Sequence, residues 1–250
     1  MKFRSLVLIS ALAALSVPAV EVTGSNTFGW LKVDSGLANT IVAVPWVECG
    51  TGEAIKVANL VKTDNLTAND KLYVYVGGTW YLYVLTDGAW TASTTVGANG
   101  PEVAEAPANQ TLARGAALFL QRADTTKPFY LYGQYDATAV QTAITAGTAD
   151  APVHTLVANP LPTGYDLNGS NKVAGGAGDA IVVPMGSVNR TYTYENDAWG
   201  WQKTTTSTVT IKGKERTVTS STRETSEGCT IPAGQGFWYV SKGGAPTFNW

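Results

Sequence analysis

The sequence predicts an all-β protein made of two similar tandem β-sandwich or barrel-like units. Three observations predict this class: a strand-forming composition, short runs in which apolar and polar residues alternate, and segments that recur in the second half of the chain. Charged residues make up only 14% of the sequence, whereas threonine, valine and aromatic residues, which favour strands, are frequent. No stretch has the periodicity that predicts a long helix.

The recurring segments indicate two copies of one folding unit. Three of them return in the same order, 115, 109 and 119 residues further along: 40–46 as 155–161, 87–90 as 196–199, and 111–115 as 230–234. Such nearly constant spacing is typical of a repeat whose insertions fall in loops. We therefore expect a first β unit at residues 20–136 and a second at residues 137–250.

A secretion signal is predicted at residues 1–19. Lys2 and Arg4 form a charged start, residues 6–15 are apolar, and small residues at 17–19 precede the expected cleavage point. The apolar stretch is shorter than the about 20 residues that span a bilayer, and nothing later in the sequence is apolar enough to do so. The mature protein is therefore expected outside a bacterium or on its surface. The chain has a formal net charge of −2 and no basic cluster, which argues against a nucleic-acid partner.

The clearest local signal is a β-hairpin around the glycine pair at 77–78. Apolar and aromatic residues alternate on both sides of this pair, and glycine suits the positive φ angles of a two-residue turn. The turn places Tyr75 opposite Trp80 and Val74 opposite Tyr81, which are favourable cross-strand pairs.

A second hairpin is predicted to protrude from the second unit near residues 203–224. Its sequence is nearly mirror-symmetric about residues 213–214, and it contains few side chains able to build a core. The symmetry pairs residues whose numbers sum to 427: Lys212 with Glu215, Thr210 with Thr217, and Lys203 with Glu224.

No catalytic, metal or cofactor site is predicted. His154 is the single histidine of the chain, and no nucleophile motif accompanies it, so we interpret it as an exposed or hydrogen-bonded residue before a strand. Asp70 and Asp179 occupy equivalent positions before strands, where aspartate stabilises turns through its backbone hydrogen bonds. We therefore expect these two aspartates to have a structural role.

The two cysteines, Cys49 and Cys229, are a disulfide candidate. In an oxidising compartment they would form one bridge between the two units. The alternative is two separate thiols, because sequence distance does not fix the geometry that a disulfide needs.

Aromatic residues of the two meanders have two interpretations. Tyr81, Tyr83 and Trp201 would form a glycan-binding platform if they were exposed in a planar row. Aromatic residues in paired strands also fill cores, where each buries about 150–250 Å². Strand alternation places Trp80 and Tyr75 on one face and Tyr81 and Tyr83 on the other, and either face is a candidate for the inward one.

Strand and turn signatures are found in residues 40–46, 71–75, 111–120, 127–135 and 236–240. These segments resemble a group of uncharacterised secreted, β-rich bacterial proteins with an internally duplicated unit. The similarity covers most of the mature chain. It implies secretion and a duplicated β-fold, and it implies no catalytic residue because no activity is assigned to that group.

Together these features favour a non-enzymatic structural or adhesive protein, secreted or on the cell surface. Strand-like segments at 27–33 and 247–250 suggest self-assembly by strand-edge pairing, with extracellular glycans or proteins as other expected partners. The alternative is a carbohydrate-binding protein that uses exposed aromatic residues. A secreted glycan-cleaving enzyme is a third hypothesis, which would need two acids converging in a cleft.

Overall fold

The protein is all-β, as its sequence predicts. The computed structural model describes residues 20–21, 28–33, 39–76, 79–93, 106–136, 138–185, 188–211 and 214–250. These residues form twenty strands and one four-residue helix, α1 (Val57–Leu60). The predicted signal, the glycine pair at 77–78 and the tip of the second hairpin at 212–213 lie outside the described residues. Within those residues, no helix has both the length and the apolar character needed to cross a bilayer.

The first half of the chain contributes ten strands: β1 (Val20–Glu21), β2 (Phe28–Val33), β3 (Asn39–Ala43), β4 (Ile55–Lys56), β5 (Lys71–Val76), β6 (Thr79–Thr86), β7 (Ala89–Ala92), β8 (Thr111–Leu112), β9 (Ala117–Gln121) and β10 (Phe129–Gln134). They form a five-stranded antiparallel sheet in the order β3-β9-β5-β6-β7, a three-stranded sheet β1-β2-β10 and a short pair β4-β8. Alternate side chains from all three sheets meet in one core, which includes Leu31, Leu72, Tyr83 and Leu131.

The second half contributes ten more: β11 (Gln141–Ala143), β12 (Val153–Ala158), β13 (Tyr165–Asp166), β14 (Ala180–Met185), β15 (Val188–Glu195), β16 (Ala198–Ile211), β17 (Lys214–Glu224), β18 (Thr230–Ile231), β19 (Gly236–Ser241) and β20 (Thr247–Asn249). The large sheet has the order β12-β19-β14-β15-β16-β17, and β13-β18 and β11-β20 form pairs. Their second core contains Tyr192, Trp199, Tyr239 and Phe248, all completely buried.

The two strand orders correspond element by element. In each large sheet, the strand that comes earliest in the sequence (β3 or β12) lies at one edge, the strand that comes latest (β9 or β19) lies next to it, and a meander joined by tight turns follows; the second sheet has β17 as an additional strand. The turn between β6 and β7 has positive φ at Asp87 and Gly88, and the turn between β15 and β16 has positive φ at Asn196 and Asp197. This correspondence agrees with two similar units; an internal duplication of the gene stays a prediction.

Buried aspartates confirm the correspondence at the level of single hydrogen bonds. Asp70 and Asp179 are completely buried, and each precedes the strand that starts the meander. In each case one carboxylate oxygen accepts the N–H of the residue three positions earlier, which is Thr67 for Asp70 and Gly176 for Asp179. The other oxygen accepts an N–H just beyond the end of a strand, from Ala123 after β9 for Asp70 and from Lys242 after β19 for Asp179. The structural role predicted for both residues is confirmed, because these bonds join two loops of the sheet.

The three-stranded sheet is held close to its neighbour by two glycines. Gly29 and Gly133 face each other across β2 and β10, and the indole of Trp46 packs directly against both. A Cβ atom at either position would overlap this ring. The absence of two side chains therefore lets one large aromatic residue fill the core beneath the sheet.

The two large sheets pack against each other through small residues. Ala43, Ala117 and Ala158 are buried between them together with Ile41, and a Cβ atom at Gly236 would overlap the Ile41 side chain. This contact, which we call the junction, is fixed by hydrogen bonds between units. The Ala43 N–H donates to the Gly234 carbonyl at 2.9 Å, and Gln235 Nε2 donates to the Ile41 carbonyl at the same distance.

The predicted hairpin registers have different outcomes. The pairs Val74–Tyr81 and Tyr75–Trp80 of the first hairpin are confirmed. In the second hairpin, the predicted sum of 427 is wrong: paired residues have numbers that sum to 425, as in Trp201 with Glu224. The strands therefore enclose residues 212–213 and not 213–214. The predicted pair of Lys203 with Glu224 is replaced, because Lys203 Nζ binds Glu227 Oε2 at 2.5 Å.

The terminal strands proposed for self-assembly are already paired. Strand β2 lies between β1 and β10, and β20 pairs with β11. Hydrogen bonds within the chain thus occupy much of the edge that the sequence analysis assigned to assembly.

Candidate functional site

The three residues predicted to form a glycan platform are not brought together. Tyr83 is completely buried in the first core, so its predicted exposure is wrong. Tyr81 is half-buried on the same inward face, because alternation along β6 places Tyr81 and Tyr83 together. Trp201 belongs to the other unit, where its Nε1 donates to the Glu227 carbonyl at 2.9 Å and the Arg190 guanidinium lies 4.4 Å from its ring centre.

Since Tyr83 faces inward, the opposite face of the hairpin carries the accessible aromatic residues. Tyr75 is 40% exposed, and Trp80, directly opposite on β6, is half-buried. Their ring centres are 5.0 Å apart, and Trp80 is 6.4 Å from Trp238 of strand β19. We call Tyr75, Trp80 and Trp238 the junction aromatics, because they extend across the contact between the two large sheets.

A groove of about 240 Å³ opens beside these rings. Tyr75 and residues 113–117 line it on the first unit, and residues 140–142 and Leu156 line it on the second. We call it the junction groove. Gly115, whose φ is +87°, lets the two walls approach, since a Cβ atom there would lie 2.9 Å from Val140 Cγ1. Concave sites at the interface between units, with apolar walls and a few polar groups, are typical ligand-binding sites.

Three polar side chains line the groove. Arg114 donates from Nη1 to the Thr138 carbonyl, and its Nε is buried without a partner among the described atoms. Gln141 Nε2 donates to Asn249 Oδ1 at 2.9 Å, and the Thr142 hydroxyl oxygen accepts from Trp250 Nε1 at 3.1 Å. These bonds leave the side-chain oxygen Oε1 of Gln141 available as an acceptor and further N–H groups of the Arg114 guanidinium available as donors. The groove therefore offers both donors and acceptors. None of its described lining residues carries a carboxylate.

Equivalent positions in the second unit show which of these residues the fold requires. Counting from the buried aspartates, Tyr83 corresponds to Tyr192 and Trp90 to Trp199, and all four are buried. By the same count, Tyr75 corresponds to Pro184 and Trp80 to Asn189 in the second unit. Arg114 corresponds to Ala233 by the 119-residue offset that relates residues 111–115 to 230–234. The common architecture therefore does not depend on aromatic or basic side chains at the groove positions.

A second aromatic surface lies on the outer face of the three-stranded sheet. Trp30, Tyr130 and Tyr132 are half-buried there, next to Phe28, which is 60% exposed. The rings of Trp30 and Tyr130 meet edge to face at 78°, and those of Tyr130 and Tyr132 are inclined by 45°. These rings pack against one another, and we call this surface the outer aromatic patch.

The remaining residues singled out by the sequence are separate from the groove. Cys49 is exposed and Cys229 is buried, and both are free thiols, so the structure contains no bridge between them. The Cys229 thiol lies 3.7 Å from the Trp199 carbonyl, and its burial raises its pKa. His154 is exposed within strand β12 and not before it. No group of three metal-ligating side chains occurs in the part of the chain that the structure describes.

The signal that identifies the groove is spread over both units. The lining residues come from β5, the β8–β9 loop, the β11 segment and β12, and they extend from Tyr75 to Leu156 in the sequence. Of the groove and its surroundings, the sequence predicted only the exposed face of the first hairpin.

Comparisons with protein-family models, with curated proteins and with solved structures gave no match.

Proposed function

We propose that this protein is a secreted, non-enzymatic adhesive protein that binds carbohydrate in the junction groove. The observation that carries the proposal is a row of three neighbouring, partly exposed aromatic rings, the first of which, Tyr75, lines a groove with apolar walls and a few polar side chains. Trp80 and Tyr75 stand at positions where the second unit has Asn189 and Pro184, so packing alone does not account for them.

Sugar recognition suits this chemistry. Aromatic faces cover the apolar C–H faces of pyranose rings, and side chains such as Arg114 and Gln141 supply hydrogen bonds to hydroxyl groups. A groove of about 240 Å³ is slightly smaller than the roughly 300–1,000 Å³ typical of drug-sized ligand sites. It therefore suits one or two sugar rings, with the rest of a chain lying along the junction aromatics.

The geometry favours a single glycan chain over a flat crystalline surface. Tyr75 and Trp80 are inclined by 44°, and Trp80 and Trp238 by 50°. A flat array of sugars contacts such rings one at a time, whereas a twisted chain meets successive rings at successive angles. The predicted signal at residues 1–19 supports an extracellular role for this binding.

A glycan array probed with the purified protein, followed by calorimetry with the strongest oligosaccharide, tests the proposal. Trp80→Asn installs the residue of the equivalent second-unit position, and we expect it to weaken binding at least about tenfold with an unchanged circular dichroism spectrum. Tyr130→Ala, in the outer aromatic patch, is the matched control and should bind as the original protein does. Loss of binding in the control and not in Trp80→Asn would move the site to the outer patch, and the absence of any oligosaccharide signal would overturn the proposal.

A further inference from the structure

The second hairpin leaves two long strand edges without partners. Strand β15 pairs with β16 only at residues 198–200, yet β16 continues to Ile211 and pairs there with β17 alone. Strand β17 is the last strand of its sheet, so its outer edge is unpaired over eleven residues of the described structure. Exposed side chains occur on both faces, among them the opposed pair Thr206 and Thr219 on one face and the opposed pair Thr205 and Ser220 on the other. Isolated two-stranded ribbons are at best marginally stable in water, so this one gains from a further strand.

The sequence of β17 is charge-complementary to itself. Read from Lys214 to Glu224, it begins Lys-Glu and ends Arg-Glu, with mainly threonine and serine between. If two such strands run antiparallel about Thr219, Lys214 of one copy stands opposite Glu224 of the other. Glu215 likewise stands opposite Arg223, so four pairs of opposite charge form in the two-fold arrangement.

Other registers lose this match. Two-fold symmetry places one residue opposite itself at the axis, so the neighbouring registers centre on Val218 or Ser220. Within residues 214–224, the first opposes no charged residues and the second keeps only the two Arg216–Glu224 pairs, against four pairs for the axis at Thr219. The free edge of β16 has no comparable pattern, because its single charged residue, Lys203, is paired with Glu227.

We propose that two copies of this protein associate through antiparallel pairing of their β17 strands, with the two-fold axis at Thr219. The pairing joins the two six-stranded sheets into one continuous sheet and removes both free β17 edges. The partner is a second copy of this chain, and the surface is distinct from the junction groove.

The charged residues at the base of the ribbon are held in place within the chain. Glu224 Oε1 accepts the N–H groups of Ser226 and Glu227 at 2.8 and 3.0 Å. Arg223 Nη2 donates to the Ala198 carbonyl at 2.8 Å, and its Nε lies 3.5 Å from Glu195. These contacts hold the Arg223 guanidinium over β16 and the Glu224 carboxylate in the following turn, so in the proposed pairing both charges act on the second copy across the strands while they keep their bonds within the chain.

The first test exchanges two neighbouring residues. Lys214→Glu with Glu215→Lys keeps the composition and net charge of the chain but converts all four opposite-charge pairs into like-charge pairs. Within the chain these positions pair with Ile211 and Thr210, neither of which carries a charge. We expect sedimentation equilibrium at low salt to show dimers of the original protein and a dissociation constant at least about tenfold higher for the exchanged variant. Lys214→Arg with Glu215→Asp, which keeps both charges, should dimerise as before.

The second test is a cross-link at the proposed axis. Directly opposed residues have Cα atoms about 4.5–5.5 Å apart, within the range that disulfides bridge. Thr219→Cys in a Cys49→Ser background should therefore give a covalent dimer under mild oxidation, whereas Thr205→Cys, exposed on β16, should not. A monomer at every concentration, a dimer unaffected by the charge exchange, or equal cross-linking at both positions would each overturn the proposal.

Discussion

Replacing Asp179 by asparagine tests whether a buried carboxylate holds together two loops of the large sheet in the second unit. The Asp179 carboxylate accepts four hydrogen bonds: from the Lys242 and Gly243 N–H groups at 2.6 and 3.1 Å on one oxygen, and from the Gly176 N–H at 2.7 Å and the Tyr239 hydroxyl at 2.6 Å on the other. Burial and the adjacent carboxylate raise the pKa of Tyr239, so its hydroxyl stays a donor at neutral pH.

The expected cost follows from counting donors. The asparagine oxygen keeps two of the four bonds, those from Lys242 and Gly243, and its NH₂ group then faces the Gly176 N–H. The Gly176 N–H is left without an acceptor, which lowers the free energy of unfolding by about 1–3 kcal/mol. The Tyr239 hydroxyl can turn to accept from the NH₂, but it exchanges a bond to a charged group for a neutral one, which costs about 1 kcal/mol. We therefore expect Asp179→Asn to lower the free energy of unfolding by about 2–4 kcal/mol.

Asp70 provides the matched control within the same molecule. Its carboxylate accepts two backbone N–H groups, one on each oxygen, and the position equivalent to Tyr239 is Leu120. Asp70→Asn leaves one N–H unsatisfied, so its cost should be about 1–3 kcal/mol and smaller than that of Asp179→Asn. The difference reports the tyrosine hydroxyl together with the charge of Arg122, which acts on Asp70 alone.

Urea unfolding followed by tryptophan fluorescence measures both variants, because Trp199 lies 5.9 Å from Tyr239 and is completely buried. Tyr239→Phe completes a double-mutant cycle with Asp179→Asn, and the two changes should be non-additive because the residues are in contact. The explanation from unsatisfied donors is refuted if Asp70→Asn lowers the free energy of unfolding more than Asp179→Asn does. It is also refuted if the effects of Asp179→Asn and Tyr239→Phe are strictly additive.

Three further predictions concern packing, pH and the thiols. Gly133→Ala should destabilise the protein by about 1–3 kcal/mol in thermal unfolding, because its Cβ would overlap Trp46, whereas Gly243→Ala, with open space around it, should change stability by less than about 0.5 kcal/mol. Hydrogen bonds from the following turn lower the pKa of Glu224 from 4.5 to about 2. The depressed pKa stabilises the turn fully above pH 4.5 and progressively less as pH falls towards 2, so the hydrogen-exchange protection factors of the turn amides should decrease over that range. Ellman's reagent should titrate one thiol, Cys49, in the native protein and a second, buried one only in denaturant; no reactive thiol in denaturant would indicate the predicted disulfide.

Local strand pairing was predictable where turn chemistry and alternation acted together. The glycine pair at 77–78 sets the register of the first hairpin, and the pairs Val74–Tyr81 and Tyr75–Trp80 follow from it. In the second hairpin, threonine and charged residues surround the turn almost symmetrically, so centres one residue apart give similar patterns. The side chains alone did not distinguish a turn at 212–213 from one at 213–214.

The inward face of the first meander was not predictable for a different reason. Alternation assigns residues to two faces, and it identifies the buried one only when the other is polar. Both faces of this sheet are apolar, since one covers the first core and the other meets the second unit at Ile41 and Ala117. Tyr83 and Trp80 therefore looked equivalent in the sequence, although Tyr83 is completely buried and Trp80 is half-buried between Tyr75 and Trp238.

Comparing the two units separates what the fold needs from what it permits. The buried aspartates, the core tyrosines Tyr83 and Tyr192, and the glycines Gly115 and Gly234 occur in both, and each has a structural reason in its hydrogen bonds, burial or positive φ. The junction aromatics of the first unit and strand β17 of the second have no counterpart among the described elements of the other unit. A feature that one copy of an architecture lacks is not required to build it. Its presence in the other copy points to binding, which is why both proposals rest on the differences between the units and not on their shared residues.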